Sequence, residues 1–168
     1  MAELSPRDRL QPFLLDRLTD DEPAVQQESR ERRAFTPKQV QSSILRDMAW
    51  LLNAKAPRPD DGLAEFPEVF KSVLNYGIPE LSGSSAAALD AFRIETTMTQ
   101  ALLSFEPRLV ARSVAVHLLM DDDSLRGNVA GFEIKGEIAA NPLPEPLYIR
   151  TEVDLETGQY MLKDRVNG

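Results

Sequence analysis

Few side chains in this 168-residue chain have the types and spacing to do chemistry together, and the most suggestive flank one proline. Glu106-Pro107-Arg108 sets a carboxylate and a guanidinium on either side of a ring that fixes φ and donates no hydrogen bond. A residue before proline is steered away from the helical region, so a helix arriving at Glu106 should end there. Pro107 in turn suits the first position of a strand but not its middle. Such a stiff corner holds an acid and a base in defined directions at little entropic cost, as a catalytic or a partner-binding pair requires. An ordinary ion pair at a helix end, worth about 0–1 kcal/mol if exposed, explains the same spacing. The chemistry favours a clamp over a catalyst. A general acid needs a raised pKa, and a neighbouring arginine acts the other way.

Other constellations carry less. Asp121-Asp122-Asp123 invites a cation, but Leu125 and Arg126 stand where a calcium loop needs a ligand and a glycine. The three acids read as a solvated turn. His117 is the only histidine and there is no cysteine, so a zinc site would have to be made largely of carboxylates. His117 reads as a packed or edge residue. Glu95, Glu106, Asp121 and Glu137 offer many carboxylate pairs to a glycosidase and single out none. No phosphate-binding glycine loop, dinucleotide fingerprint or nucleophile elbow occurs, and no cofactor or metal is implied.

Nineteen basic residues against twenty-seven acidic ones give a net charge of −8. That field repels phosphate backbones and anionic lipid, which argues against nucleic acid and membrane surfaces as partners. The cluster Arg30-Glu31-Arg32-Arg33 is broken by acid and reads as a solvated linker. No long apolar run exists, so no direct membrane insertion is expected. The first residues lack the apolar core of a signal peptide, which makes the cytoplasm the expected compartment.

The elements that must position the corner are helical before it and extended after it. Leu10, Leu14, Leu15 and Leu18 recur at helical spacing around Pro12, and a polar stretch over 24–33 follows. Residues 1–34 therefore read as an arm and linker, which either folds back on its own core or docks in a partner's groove, and 35–168 as the main domain. Thr36-Pro37-Lys38-Gln39 spells a capping box with proline at the first helical position. Val40, Ile44, Met48, Leu51 and Leu52 then mark a buried face, with Arg46 and Asp47 off it. Residues 66–74 fit one or two helical turns, and Gly77 permits a positive φ before Pro79. A long helix is expected over 86–103, with Leu89, Phe92, Thr96, Thr99, Leu102 and Leu103 as its core face, and with Ile94, Met98 and Ala101 apolar elsewhere on it, which leaves open burial on more than one side. Past the corner the period becomes two, in three half-polar strands and a short last one at 160–164 after the Glu156-Thr157-Gly158 turn. This predicts an α+β fold, with N-terminal helices packed on one face of a small antiparallel sheet formed by the C-terminal half. The last strand, short and following the others, is expected at a sheet edge, where either a partner strand could add or a helix or loop of the chain covers it.

Several segments, taken in order, carry a resemblance. They are Leu10-Gln11-Pro12-Phe13-Leu14-Leu15-Asp16-Arg17-Leu18-Thr19-Asp20, Arg46-Asp47-Met48-Ala49-Trp50-Leu51-Leu52-Asn53, Ser72-Val73-Leu74-Asn75-Tyr76-Gly77-Ile78-Pro79, Phe105-Glu106-Pro107-Arg108-Leu109 and the stretch over 145–158. Together they resemble the TssE family, the small baseplate subunits of type VI secretion systems, similar to a contractile-phage baseplate wedge protein that carries a lysozyme-like label. Phe13 departs from it, standing where a small polar residue is expected. The resemblance implies a structural, non-enzymatic subunit of a baseplate docked at the membrane from the cytoplasm. Its implied partners are TssF, TssG and TssK, and the sheath proteins TssB and TssC, which would begin on strands this subunit presents. It also implies that Glu106, Pro107 and Arg108 make assembly contacts, so that Arg108→Ala would abolish assembly and leave the isolated fold intact. The alternative is a peptidoglycan glycosidase, as the lysozyme-like label suggests.

Overall fold

The computed structural model describes residues 13–19, 35–57, 65–69, 72–82, 90–119, 128–139 and 144–164. A short helix α1 (Leu14–Leu18) precedes α2 (Pro37–Asn53) and α3 (Ala91–Phe105). Four strands follow, β1 (Ala115–Leu119), β2 (Val129–Ile138), β3 (Glu145–Asp154) and β4 (Tyr160–Asp164), paired antiparallel in the order β1-β2-β3-β4. The arrangement is α+β, as the change of period at the corner predicts. The polar linker over 24–33, the start of the arm, the 121–123 turn and the first residues of the expected 86–103 helix lie outside the described residues.

The start of α2 is fixed by its own sequence. Thr36 Oγ1 accepts the Gln39 amide, the Gln39 side chain accepts the Thr36 amide at 2.9 Å, and Pro37 takes the first turn. Val40, Ile44, Met48, Leu51 and Leu52 are buried, as their spacing requires. In α3 the expected face is rotated. Met98, Ala101 and Leu102 are buried, with Ile94 and Phe105 packed beside them, whereas Phe92 is 79% exposed. The helix begins only at Ala91, where the Asp90 side chain accepts the Arg93 amide. Both faces of this helix carry apolar residues, so periodicity alone could not choose between them.

The sheet reads as its alternation predicts. Ala130, Phe132, Ile134 and Ile138 of β2, with Leu147, Ile149, Thr151 and Val153 of β3, face the helices and are buried. Ile134 pairs with Ile149, and His117 with Glu133, across the ladders. A one-residue slip would turn every one of these helix-facing side chains, all apolar but Thr151, to water, so the register is strongly specified. Each of Phe132, Ile134 and Ile149, fully buried, contributes about 1.5–3 kcal/mol. The β3–β4 turn is tied by Asp154, whose Oδ1 accepts the Glu156 and Thr157 amides at 2.8 and 3.0 Å, and by Gly158 at φ 73°.

The two sheet edges are treated differently. Along β1, the Glu95 carboxylate of α3 accepts the Leu118 amide at 2.7 Å. On β4, the Asn53 carboxamide at the end of α2 takes both backbone groups of Tyr160, at 3.0 and 3.1 Å. By antiparallel alternation Leu162 then also directs its N–H and C=O away from β3, and neither has a partner among the described residues.

Candidate functional site: a charged network under the corner

Residues 106–109 form a tight turn with Pro107 in its second position, closed by the Leu109 amide on the Glu106 carbonyl at 3.2 Å. The helix stops at Glu106, as the following proline dictates. A strand does not start at Pro107. Only Leu109 pairs, opposite Ile138, before a 3₁₀ turn (Ala111–Ser113) leads into β1. Val110 donates to the Glu137 carbonyl at 2.8 Å and Ala139 to the Arg108 carbonyl at 2.7 Å, which fastens the turn to the end of β2.

Glu106 and Arg108 both point inward, 3% and 9% exposed, while Pro107 is exposed. The Glu106 carboxylate folds back across the proline. It accepts the Arg108 amide at 3.2 Å, Nε at 2.5 Å, and Nη2 at its second oxygen. This is a bidentate pair, the geometry in which a guanidinium binds a carboxylate best. Arg108 Nη2 also donates to Asp47 Oδ2 at 2.8 Å and Nη1 to Ser43 Oγ at 3.3 Å, both on α2. Asp47 in turn accepts Arg46 Nε at 2.8 Å, and Arg46 Nη1 reaches Asp16 of α1 at 2.7 Å. Charges therefore alternate along Glu106, Arg108, Asp47, Arg46 and Asp16, joining the corner to α2 and α1. Burial works against the charge of Arg108, but the hydrogen bonds and charges of Glu106 and Asp47 outweigh it and raise its pKa above the ordinary value.

Aromatic rings border the network. The Phe13 ring lies 4.5 Å from the Arg108 guanidinium carbon, and the Trp50 ring 5.2 Å from that of Arg46. Both distances suit cation–π contact. Tyr76 meets Phe105 edge to face at 5.2 Å, and its hydroxyl pKa is raised by burial and by the charges of Asp47 and Glu106. Tyr76 is held there by Gly77, at φ 124°, whose neighbour Ile78 exchanges hydrogen bonds with Ala54 and Ala56 just past α2. A Cβ on Gly77 would lie 2.4 Å from the Ala54 carbonyl oxygen.

Of the three corner residues read from the sequence, the structure thus spends two on bonds within the chain and leaves Pro107 at the surface. It brings in five that the sequence reading did not assign to the site: Phe13, named there only as a departure from the family, Arg46 and Asp47, named only as off the buried face of their helix, and Asp16 and Ser43. Ser43 and Asp47 sit one turn apart beside Ile44 and Met48, and polar residues bordering an apolar face at helical spacing were the signal available. His117 is exposed on the outer sheet face and takes no part. Among the described residues no cluster of acids or histidines could hold a metal ion, and no helix is long and apolar enough to cross a membrane.

The architecture is thus a helical layer on one face of an antiparallel meander, with an ion-paired corner at the join. The family model described as baseplate wedge protein gp25 matches residues 38–143, more than half of the chain, and the chain belongs to that family. No curated protein and no solved structure matches it. The matched residues take in α2, α3, the corner, β1 and β2, whereas α1, β3 and β4 lie outside them. The family gives the chain a structural baseplate role.

Proposed function

We propose that the chain is the TssE-type wedge subunit of a type VI secretion baseplate, working in the cytoplasm at a membrane-docked assembly. The observation that carries this reading is the baseplate wedge match across the corner and its supporting helices. In this reading 35–168 is the wedge domain and 1–34 an arm and linker. The corner of Glu106, Pro107 and Arg108 meets the neighbouring wedge proteins TssF and TssG, near TssK. Pro107 touches the partner, and the buried pair beneath holds the turn in shape. The sheath proteins TssB and TssC begin at the β4 edge, where Leu162 offers unpaired backbone groups.

A glycosidase would need an acid free to protonate a leaving group. Both oxygens of Glu106 are occupied by Arg108, which favours the structural reading. The test is affinity purification of the tagged protein from its native cell. Recovery of TssF, TssG and sheath subunits, reduced in a Pro107→Ala variant that still folds, is the expected result. A protein recovered alone that clears peptidoglycan, with clearing lost in Glu106→Gln, would overturn it.

A further inference from the structure

The short helix α1 is packed inside out. Among the described residues its side-chain ties to the main body are its N-cap Phe13, 36% exposed, against the Arg108 guanidinium and Asp16 on Arg46, while Leu14 and Leu18 are 71% and 73% exposed. No residue of its five is buried, and a helix of that length has no stability of its own. It is therefore held by an aromatic ring and a carboxylate three residues apart, read by two arginines of the main body.

We propose that Arg46 and Arg108 form a receptor site for a helical segment carrying an aromatic residue followed three positions later by an acid, and that α1 fills this site in cis until a partner subunit's helix replaces it. The inference rests on the reading of the corner as an assembly site, and it supplies the route by which a buried Arg108 reaches a partner. Removing α1 leaves Arg108 with Glu106, Asp47 and Ser43, and leaves Arg46 with Asp47, so neither cation is stranded. Exchange is accordingly inexpensive. The cis ligand is also an imperfect one. The Asp16 side chain is 6% exposed, yet its Oδ2 is buried without a hydrogen-bond partner among the described residues. A carboxylate better placed on a partner's helix would satisfy both oxygens. The net charge of −8 works against pairing two copies of this chain, which assigns the replacing helix to a different subunit.

The experiment uses the full chain and a synthetic peptide of residues 10–20 as probe. Trp50, the only tryptophan, reports from its place beside Arg46. The double variant Phe13→Ala/Asp16→Asn vacates the site and leaves Glu106, Asp47 and Ser43 on the two arginines. It should bind the peptide saturably, and wild type should bind about tenfold more weakly, the factor expected when α1 occupies the site in roughly nine molecules of ten. A peptide with both positions changed should not bind, and Arg46→Gln placed in the double variant should remove binding. Equal binding of the altered peptide, or no saturable binding to the vacated chain, overturns the receptor. Because that outcome could coexist with recovery of baseplate proteins from cells, it leaves the baseplate reading standing. Peptide binding without such recovery does the reverse. A wild-type dimer in sedimentation, lost in the double variant, overturns the assignment to a different subunit.

Discussion

Two regions of this molecule are built from ion pairs and behave differently, one on arginines under the corner and one on lysines along the sheet. Under the corner, Glu106, Arg108, Asp47, Arg46 and Asp16 alternate in sign, and Glu106 and Arg108 are all but closed to water. On the outer face of the sheet, Glu133 pairs with Lys135 at 2.6 Å and accepts the Tyr148 hydroxyl, and Lys163 meets Glu152 at 2.6 Å. There Lys135 and Lys163 are 51% and 58% exposed. Water competes for the second set and screens it, whereas the first must satisfy itself. The comparison teaches that a pair's consequence is set by what surrounds it. The corner pair fixes where a turn, two helices and a sheet end meet, while the sheet pairs keep one face wet.

The sharpest way to break the comparison is to strand a buried charge. Arg108→Ala leaves the buried Glu106 without its cation, while Asp47 keeps Arg46, and should cost about 3–5 kcal/mol in urea unfolding. The isolated chain is therefore expected to suffer, contrary to a purely interfacial role. Removing Glu106 together with Arg108 should restore part of that loss, because no lone charge at the turn then remains. A loss below about 1 kcal/mol for Arg108→Ala would place the pair with the surface ones. Gly77→Ala tests the support behind the corner. It forces a side chain into a positive φ against the Ala54 carbonyl, and should cost at least about 1–3 kcal/mol while raising the mobility of Tyr76.

How much of this was legible in the sequence follows from which signals are local. The capping box at Thr36, the stop at Glu106, the Gly158 turn and the alternation of β2 and β3 are decided by neighbours in the chain, and each stands where its residues place it. The face of α3 was not legible, because Phe92 and Leu103 are as apolar as Ile94 and Met98, and only contact with β1 decides among them. The network was half legible. Glu106 and Arg108 announce themselves by spacing, but Asp47 lies 61 residues from Arg108 and Asp16 lies 30 from Arg46. Nothing in a one-dimensional pattern brings such residues together.

The outer face supplies the smaller effects. Lys163→Ala removes a mostly exposed partner from Glu152, and should change stability by no more than about 1 kcal/mol, with the difference fading in high salt. The same salt should leave the Arg108→Ala loss nearly unchanged, since the corner is closed to ions. That contrast, measured in paired denaturation curves, sharpens the distinction without any structural probe.

Acid offers the finest discrimination. The Glu133 carboxyl is held below its ordinary pKa by the hydrogen bonds of Lys135 and Tyr148, against the opposing effect of burial and with help from the charges of Lys135 and His117. Asp154 is likewise lowered, by the amides of Thr157 and Glu156. A depressed folded pKa means that the unfolded chain takes up the proton first, at about pH 4. These groups therefore contribute fully above about pH 5, and their contribution drains away as the pH falls through the folded values. Glu133→Gln has no such proton to bind. Its stability deficit relative to wild type should be largest near neutrality and should shrink as the pH falls below the ordinary carboxylate range and through the lowered folded value. A deficit constant across that range would mean that Glu133 acts through packing on the sheet face, not through its charge.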